Sequence, residues 1–266
     1  MFQPVLPLGG FAGWRFLERT MDAQQTAFQE SATIVRATDY FRENIGSITS
    51  AEDLVSDRQL LSIALGAFGL DDDISNKFFI EKILSDGTTN DDALSNRLAD
   101  KSYANMSAAF GFGDATGALT GLSGFADKII ARYETKQFER AVGDQNGDLR
   151  IALSLESNLA DVTSQTQNKN AQWFAMMGNP PLRNAFEIVF GLPSSLARID
   201  LDQQLTAFQD RSNSLFGTDS IADFTDPEKQ EDFLRMFLIR SQANAAATTT
   251  SGNIALTLLQ SAPRFF

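Results

Sequence analysis

Apolar residues in this chain recur every three to four positions, and sustained alternation with a period of two is missing. Such a pattern puts apolar side chains on one stripe of a helix and leaves strands at most short and peripheral. Leu60, Ile63, Ala64, Ala67 and Phe68 are the clearest case, at i, i+3, i+4, i+7 and i+8, with Gly69 where a helix-ending glycine belongs. Asn179-Pro180-Pro181 opens a second such helix, in which Leu182, Ala185, Phe186, Val189 and Phe190 take the same five offsets. Gly191 and Leu192 then match Gly69 and Leu70, so Phe-Gly-Leu ends both. A duplicated helical unit accounts for this; so does chance in a helix-rich chain, and the sequence leaves both open.

The same reading predicts a long helix over 20–44, which has no Gly or Pro, and further helices over 75–84, 91–110, 125–142, 148–160, 171–177, 196–215 and 227–247. Ser50 precedes Glu52 and Asp53 as an N-cap would, and Asp226-Pro227 combines a capping side chain with proline at the first helical position. Five glycines between Gly111 and Gly124 weaken any helix there by about 1 kcal/mol each. The expectation is therefore an all-α, multi-helix bundle. It has an N-terminal helical region over 1–110, a glycine-rich linker over 111–124 and a C-terminal helical region over 125–266. An Ala/Thr/Ser/Asn-rich tract over 242–253 precedes an apolar tail carrying Ile254, Leu256, Leu258 and Leu259, expected to pack back on the body.

Among 266 residues there is no histidine and no cysteine. This removes Ser-His-Asp and Cys-His nucleophilic catalysis, a histidine base, thiolate chemistry and the usual zinc ligands. Acid–base work by carboxylates, Lys or Tyr and carboxylate-bound magnesium remain open. Phenylalanine is abundant, 22 against 3 Tyr and 2 Trp, which suits a packed core better than a recognition surface. The net charge of −12 repels phosphate backbones and anionic lipid heads, so neither nucleic acid nor a membrane surface is an expected partner. No segment approaches the roughly 20 apolar residues that span a bilayer. The apolar start has no basic residue before Arg15 and is broken by Pro and Gly, so it reads poorly as a secretory signal.

Motifs that could carry chemistry fail on their details. Asp144-Gln145-Asn146-Gly147-Asp148 resembles half of a calcium loop, but the required glycine is Leu149 and the final bidentate Glu is Leu155. A polar turn capping the next helix explains it better. The segment from Gly111 to Gly117 lacks a preceding strand and a phosphate-binding lysine, and its Asp114 would repel phosphate. Gly121-Leu122-Ser123-Gly124 is too short for a nucleophile elbow. Phe138-Glu139 and Phe186-Glu187 set carboxylates beside apolar walls, as amphipathic helices routinely do. Asp71-Asp72-Asp73 and Asp200 with Asp202 are the carboxylate clusters on which a magnesium-dependent enzyme or small-ligand binder would have to rest. The first follows a helix-ending glycine and precedes an apolar helix, where the helix dipole favours acids anyway. No catalytic, cofactor-binding or metal-ligating residue is assigned.

The run from Pro4 to Leu17, with Gly9-Gly10-Phe11-Ala12-Gly13-Trp14, is similar to the opening of an uncharacterised, mainly alphaproteobacterial family, domain of unknown function 1217. Gly66-Ala67-Phe68-Gly69-Leu70-Asp71-Asp72-Asp73-Ile74, Asn96-Arg97-Leu98, Pro180-Pro181-Leu182-Arg183 and Asp200-Leu201-Asp202-Gln203-Gln204 resemble it too. The resemblance implies an all-helical protein, often encoded among flagellar rod and hook genes, and it carries over no functional residue. With it come the expectations of a non-enzymatic helical interaction protein of flagellum assembly or motility: structural component, export-related factor or chaperone. Its partners would be rod, hook or export components, and its place the cytoplasm or, without a cleaved signal, the flagellum.

Overall fold

The structure is a computed structural model that describes residues 2–98, 100–164 and 166–261, with side chains described as far as Ala246. Among the described residues there are thirteen α-helices, four short 3-10 helices and no strand, as the apolar period requires. Two compact units divide the chain: the first holds Met1–Val5 and Arg19–Asp144, the second Leu6–Glu18 and Gln145–Phe266. Helix α1 (Gly10–Gln29) contributes to both.

The first unit is built around α4 (Arg58–Ala67), every residue of which from Leu60 to Ala67 except Ser62 is buried. Asp57 starts the helix, its carboxylate accepting from the Gln59 and Leu60 amides at 2.8 and 3.1 Å. Gly69 ends it at φ +73°, and the Leu70 amide donates back to the Leu65 carbonyl at 3.0 Å. That left-handed turn suits glycine, because a side chain there costs roughly 1–2 kcal/mol. Around α4 lie α2 (Ala32–Asn44), α3 (Ala51–Ser56), the 3-10 turn Asp71–Ser75 and α8 (Phe125–Gly143). Helices α5 (Lys77–Asp86), α6 (Leu94–Arg97) and α7 (Ser102–Phe110) extend the core, with Leu61 and Leu65 in one apolar cluster with Ile80, Leu84, Met106 and Phe110.

The expected helix over 20–44 is interrupted: α1 ends at Gln29 and α2 starts at Ala32. Phe28 and Ile34 are both buried, yet on one straight helix they would point about 120° apart. Breaking the helix at Glu30–Ser31 lets both reach the core. The helix expected over 91–110 is likewise two, α6 and α7. That over 196–215 divides into a 3-10 turn, Ser194–Arg198, and α12 (Leu201–Phe216).

The glycine-rich stretch 111–124 lies within the first unit, and the boundary between units falls at Asp144–Gln145. Two of its glycines, Gly111 and Gly113, allow close packing: a Cβ on Gly113 would collide with the backbone of 85–87. Asp114 clamps the stretch down, accepting from the Thr88 and Thr89 amides at 2.7 and 3.0 Å and from both threonine hydroxyls. The Thr88 amide, foremost among these donors, holds the Asp114 carboxyl below the usual aspartate range.

The second unit consists of α9 (Gly147–Ser164), α10 (Lys169–Met177), α11 (Pro180–Phe190), α12 and α13 (Pro227–Ser261), with the start of α1. Asn146 caps α9 by accepting from the Leu149 amide at 3.0 Å, so the calcium-like pentapeptide is a capping turn. Helix α11 repeats α4: Leu182, Ala185, Phe186, Val189 and Phe190 are all buried, and Asn179 caps it through the Leu182 amide at 3.1 Å. Gly191 ends it at φ +64°, and the Leu192 amide returns to the Glu187 carbonyl at 2.9 Å. Even the crossing helix repeats. Arg132 of α8 donates to the Ala67 carbonyl at the end of α4, and Arg240 of α13 donates to the matching Val189 carbonyl of α11. Each arginine thereby satisfies a carbonyl that a helix end leaves open. Helix α13 runs beyond the expected 247, and the side chains of the apolar tail lie outside the described residues.

Candidate functional site

The first unit carries a cleft of about 610 Å³ above α4. Helix α2 lends Thr33, Arg36 and Ala37; α4 lends Arg58, Gln59, Ser62 and Ile63; Asp71 and Ile74 come from the 3-10 turn, and Tyr133 and Arg140 from α8. Each helix supplies residues spaced three, four or seven apart, so they line up on one face. Ile63 is buried, Ala37 and Ile74 are half-buried, and Arg36, Arg58, Gln59 and Ser62 are exposed. The result is an apolar floor beneath a polar, cationic rim.

Small residues on α4 set the position of Tyr133. A Cβ on Gly66 would lie 2.8 Å from the Tyr133 ring, so the glycine is what lets the ring rest against the helix. Burial, reinforced by the nearby Asp71 and opposed by Arg140, pushes the Tyr133 phenol above its ordinary pKa. At neutral pH it is a hydrogen-bond donor. Asp71 is already engaged: Arg140 approaches it at 3.0 Å and the Gln137 amide donates to it at 2.7 Å. Arg140 also lies 3.6 Å from the exposed Asp72. Arg36 donates to the Ala32 carbonyl of its own helix, at 2.8 Å. No carboxylate among the described residues pairs with Arg58. The cleft thus offers three guanidinium groups against one carboxylate, on a chain whose net charge is −12.

At the start of α4, Asp57 lies apart from this set. Burial tends to raise its carboxyl, but the Tyr40 hydroxyl at 2.7 Å and the Leu60 and Gln59 amides outweigh it and hold the group below the usual range. Its hydrogen bond pushes the Tyr40 phenol up.

The carboxylate clusters of the sequence do not assemble. Asp71 faces the cleft, Asp72 is exposed, and Asp73 accepts from Tyr103 at 2.5 Å and from Asn76 at 2.7 Å. Asp200 caps α12 through the Asp202 amide at 2.9 Å. Among the described residues, no three Asp or Glu are grouped so as to hold a metal ion. Glu139 and Glu187, each after a phenylalanine, are paired with Lys136 at 2.9 Å and Arg183 at 2.8 Å. The cleft itself escapes sequence reasoning, because Arg36, Arg58, Tyr133 and Arg140 form no motif. The seven-residue spacing of Tyr133 and Arg140 was the one signal present.

No helix of the described residues is long and apolar enough to cross a membrane. Among functionally curated proteins, none matches the chain. The crystal structure of protein AGR_C_984 from Agrobacterium tumefaciens, a structural genomics target, is similar to it with a TM-score of 0.72 and 25% identity. The alignment covers 90% of this chain and 98% of that one. The family model described as "Protein of unknown function (DUF1217)" matches residues 67–230, from the end of α4 into α13. The chain belongs to the DUF1217 family.

Proposed function

We propose that this protein is not an enzyme and works by binding other protein chains during assembly or operation of the bacterial flagellum. It would do so as a structural component, an export-related factor or a chaperone. The inventory of the cleft supports the binding half of this reading: three guanidinium groups, a protonated phenol, hydroxyls, and one carboxylate already engaged by Arg140 and Gln137. Such groups hold an anion in place. A base poised to take a proton, or a nucleophile with a base beside it, is not among them.

The flagellar half rests on the family resemblance and on a cysteine-free composition that suits an export-dependent protein. Deleting the gene tests it: impaired swimming or missing filaments is the expected result, and normal motility with normal filaments overturns it. Cell fractionation then separates an exported component, found outside the membrane, from a chaperone that stays inside. The magnesium-dependent alternative would have to gather Asp71 and Asp73, which have different partners. A magnesium-dependent rise in Tm, abolished by Asp71→Asn, would favour it.

A further inference from the structure

We propose that the cleft receives an acidic, amphipathic helical segment of a partner protein, with Arg36 and Arg58 reading its carboxylates. This rests on the cleft being the docking site and adds the chemistry of what docks. Charge complementarity argues first. Arg58 has no carboxylate partner among the described residues, and Arg36 spends one N–H on its own helix, so two guanidinium groups are open to an anion on an otherwise acidic chain. Guanidinium forks match carboxylates in a bidentate way, and Tyr133 keeps a proton to donate.

Shape argues second. Arg36 and Arg58 on the rim are exposed, so a small molecule would remain largely in water, whereas enclosed ligand sites bury most of their guest. Tyr133 and Arg140 stand two turns apart on α8, about 10 Å, which gives the cleft the length of a short helical stretch. The floor of Ala37, Ile63 and Ile74 takes an apolar stripe, while the rim takes the charges flanking it. A nucleic-acid strand fits less well, because a chain of net charge −12 repels the phosphates that extend past the patch.

The test titrates the full-length chain with a synthetic helix carrying leucine on one face and glutamate along its flanks. The expected result is saturable binding that weakens as salt rises and falls about tenfold or more in Arg58→Glu and again in Arg36→Glu. A peptide with glutamine in place of glutamate should bind far less. Both substitutions are on exposed side chains, and unchanged thermal melts would show the variants folded. Equal binding of the glutamine peptide overturns the proposal, as does peptide binding indifferent to both substitutions. So does full competition by inorganic phosphate or by a single-stranded oligonucleotide. A deletion strain that swims poorly, with a protein that ignores the acidic helix, would leave the association reading standing and remove this one.

Discussion

The two units share a central helix, its caps and its crossing helix, yet fill the space around it differently. Helix α4 presents Ala64, Gly66 and Ala67 to its surroundings, so α8 lies close along it and Tyr133 rests on Gly66. Helix α11 has Phe186 where α4 has Ala64, and its neighbourhood is filled with rings. Phe233 lies 4.5 Å from Phe186 between centroids, Phe224 5.2 Å, Phe190 5.3 Å and Trp173 5.9 Å. Small residues make a close approach, and large ones act as spacers that must interlock. On another face, α4 has the fully buried Leu61 and Leu65, clustered with Met106 and Phe110 of α7. The matching positions of α11 are Arg183 and Glu187, paired at 2.8 Å and joined by Gln204 at 2.9 Å. The second unit has no counterpart of α6 and α7 between α12 and α13, apart from the 3-10 turn Ile221–Thr225. One helical frame is therefore apolar where another layer is added and ion-paired where none is.

The strongest test of that contrast is Phe186→Ala. Losing a fully buried ring with four aromatic neighbours should cost about 3–5 kcal/mol in chemical denaturation, and a loss under about 1 kcal/mol would mean the ring cluster is not tightly interlocked.

Gly66→Val addresses the close approach in the first unit. A branched side chain must displace the Tyr133 ring and Gln137, so a loss of roughly 2 kcal/mol is expected, with a changed tyrosine environment in near-ultraviolet circular dichroism. A neutral effect would mean that α8 can move away at little cost.

Asp114→Asn probes the clamp of the first unit. Replacing an ionised acceptor of four hydrogen bonds should cost about 1.5 kcal/mol. Its folded pKa is depressed below the ordinary 3.8, so its contribution is complete above that value and is lost as pH falls through the range beneath it. Acid titration of unfolding should show a shallower loss of stability in the variant than in the wild type.

The smallest effects should be the most alike. Gly69→Ala and Gly191→Ala both place a side chain at positive φ, and neither new Cβ would meet an atom closer than 3.7 Å. Each should cost about 1 kcal/mol, from backbone strain alone. Clearly unequal losses would show that the two matching helix ends are held differently.

Much of this fold was legible along the chain because its signals are local. The five-offset stripes on α4 and α11, the caps at Ser50, Asn179 and Asp226, and the terminal glycines each depend on residues within a turn or two of one another. The misread boundaries share a cause as well. Between Gln29 and Ala32 no Gly or Pro marks the break, which follows from where Phe28 and Ile34 must point. The glycines over 111–124 have the composition of a linker, but Gly111 and Gly113 serve approach: the room left by Gly113 and the clamp of Asp114 exist only once 85–89 packs alongside.

Composition and periodicity alone dictated an all-helical chain with no histidine or cysteine chemistry, because hydrophobic spacing and the available side chains are properties of the string itself. Long-range packing alone chose which carboxylates stay apart and which cations share a cleft. Asp71, Asp72 and Asp73 are neighbours in the chain, but Asp71 and Asp72 turn to Arg140 while Asp73 turns to Tyr103, since the side chains leave the 3-10 turn in different directions. Arg36, Arg58 and Arg140, far apart in the chain, line one groove because α2 and α8 both close on α4.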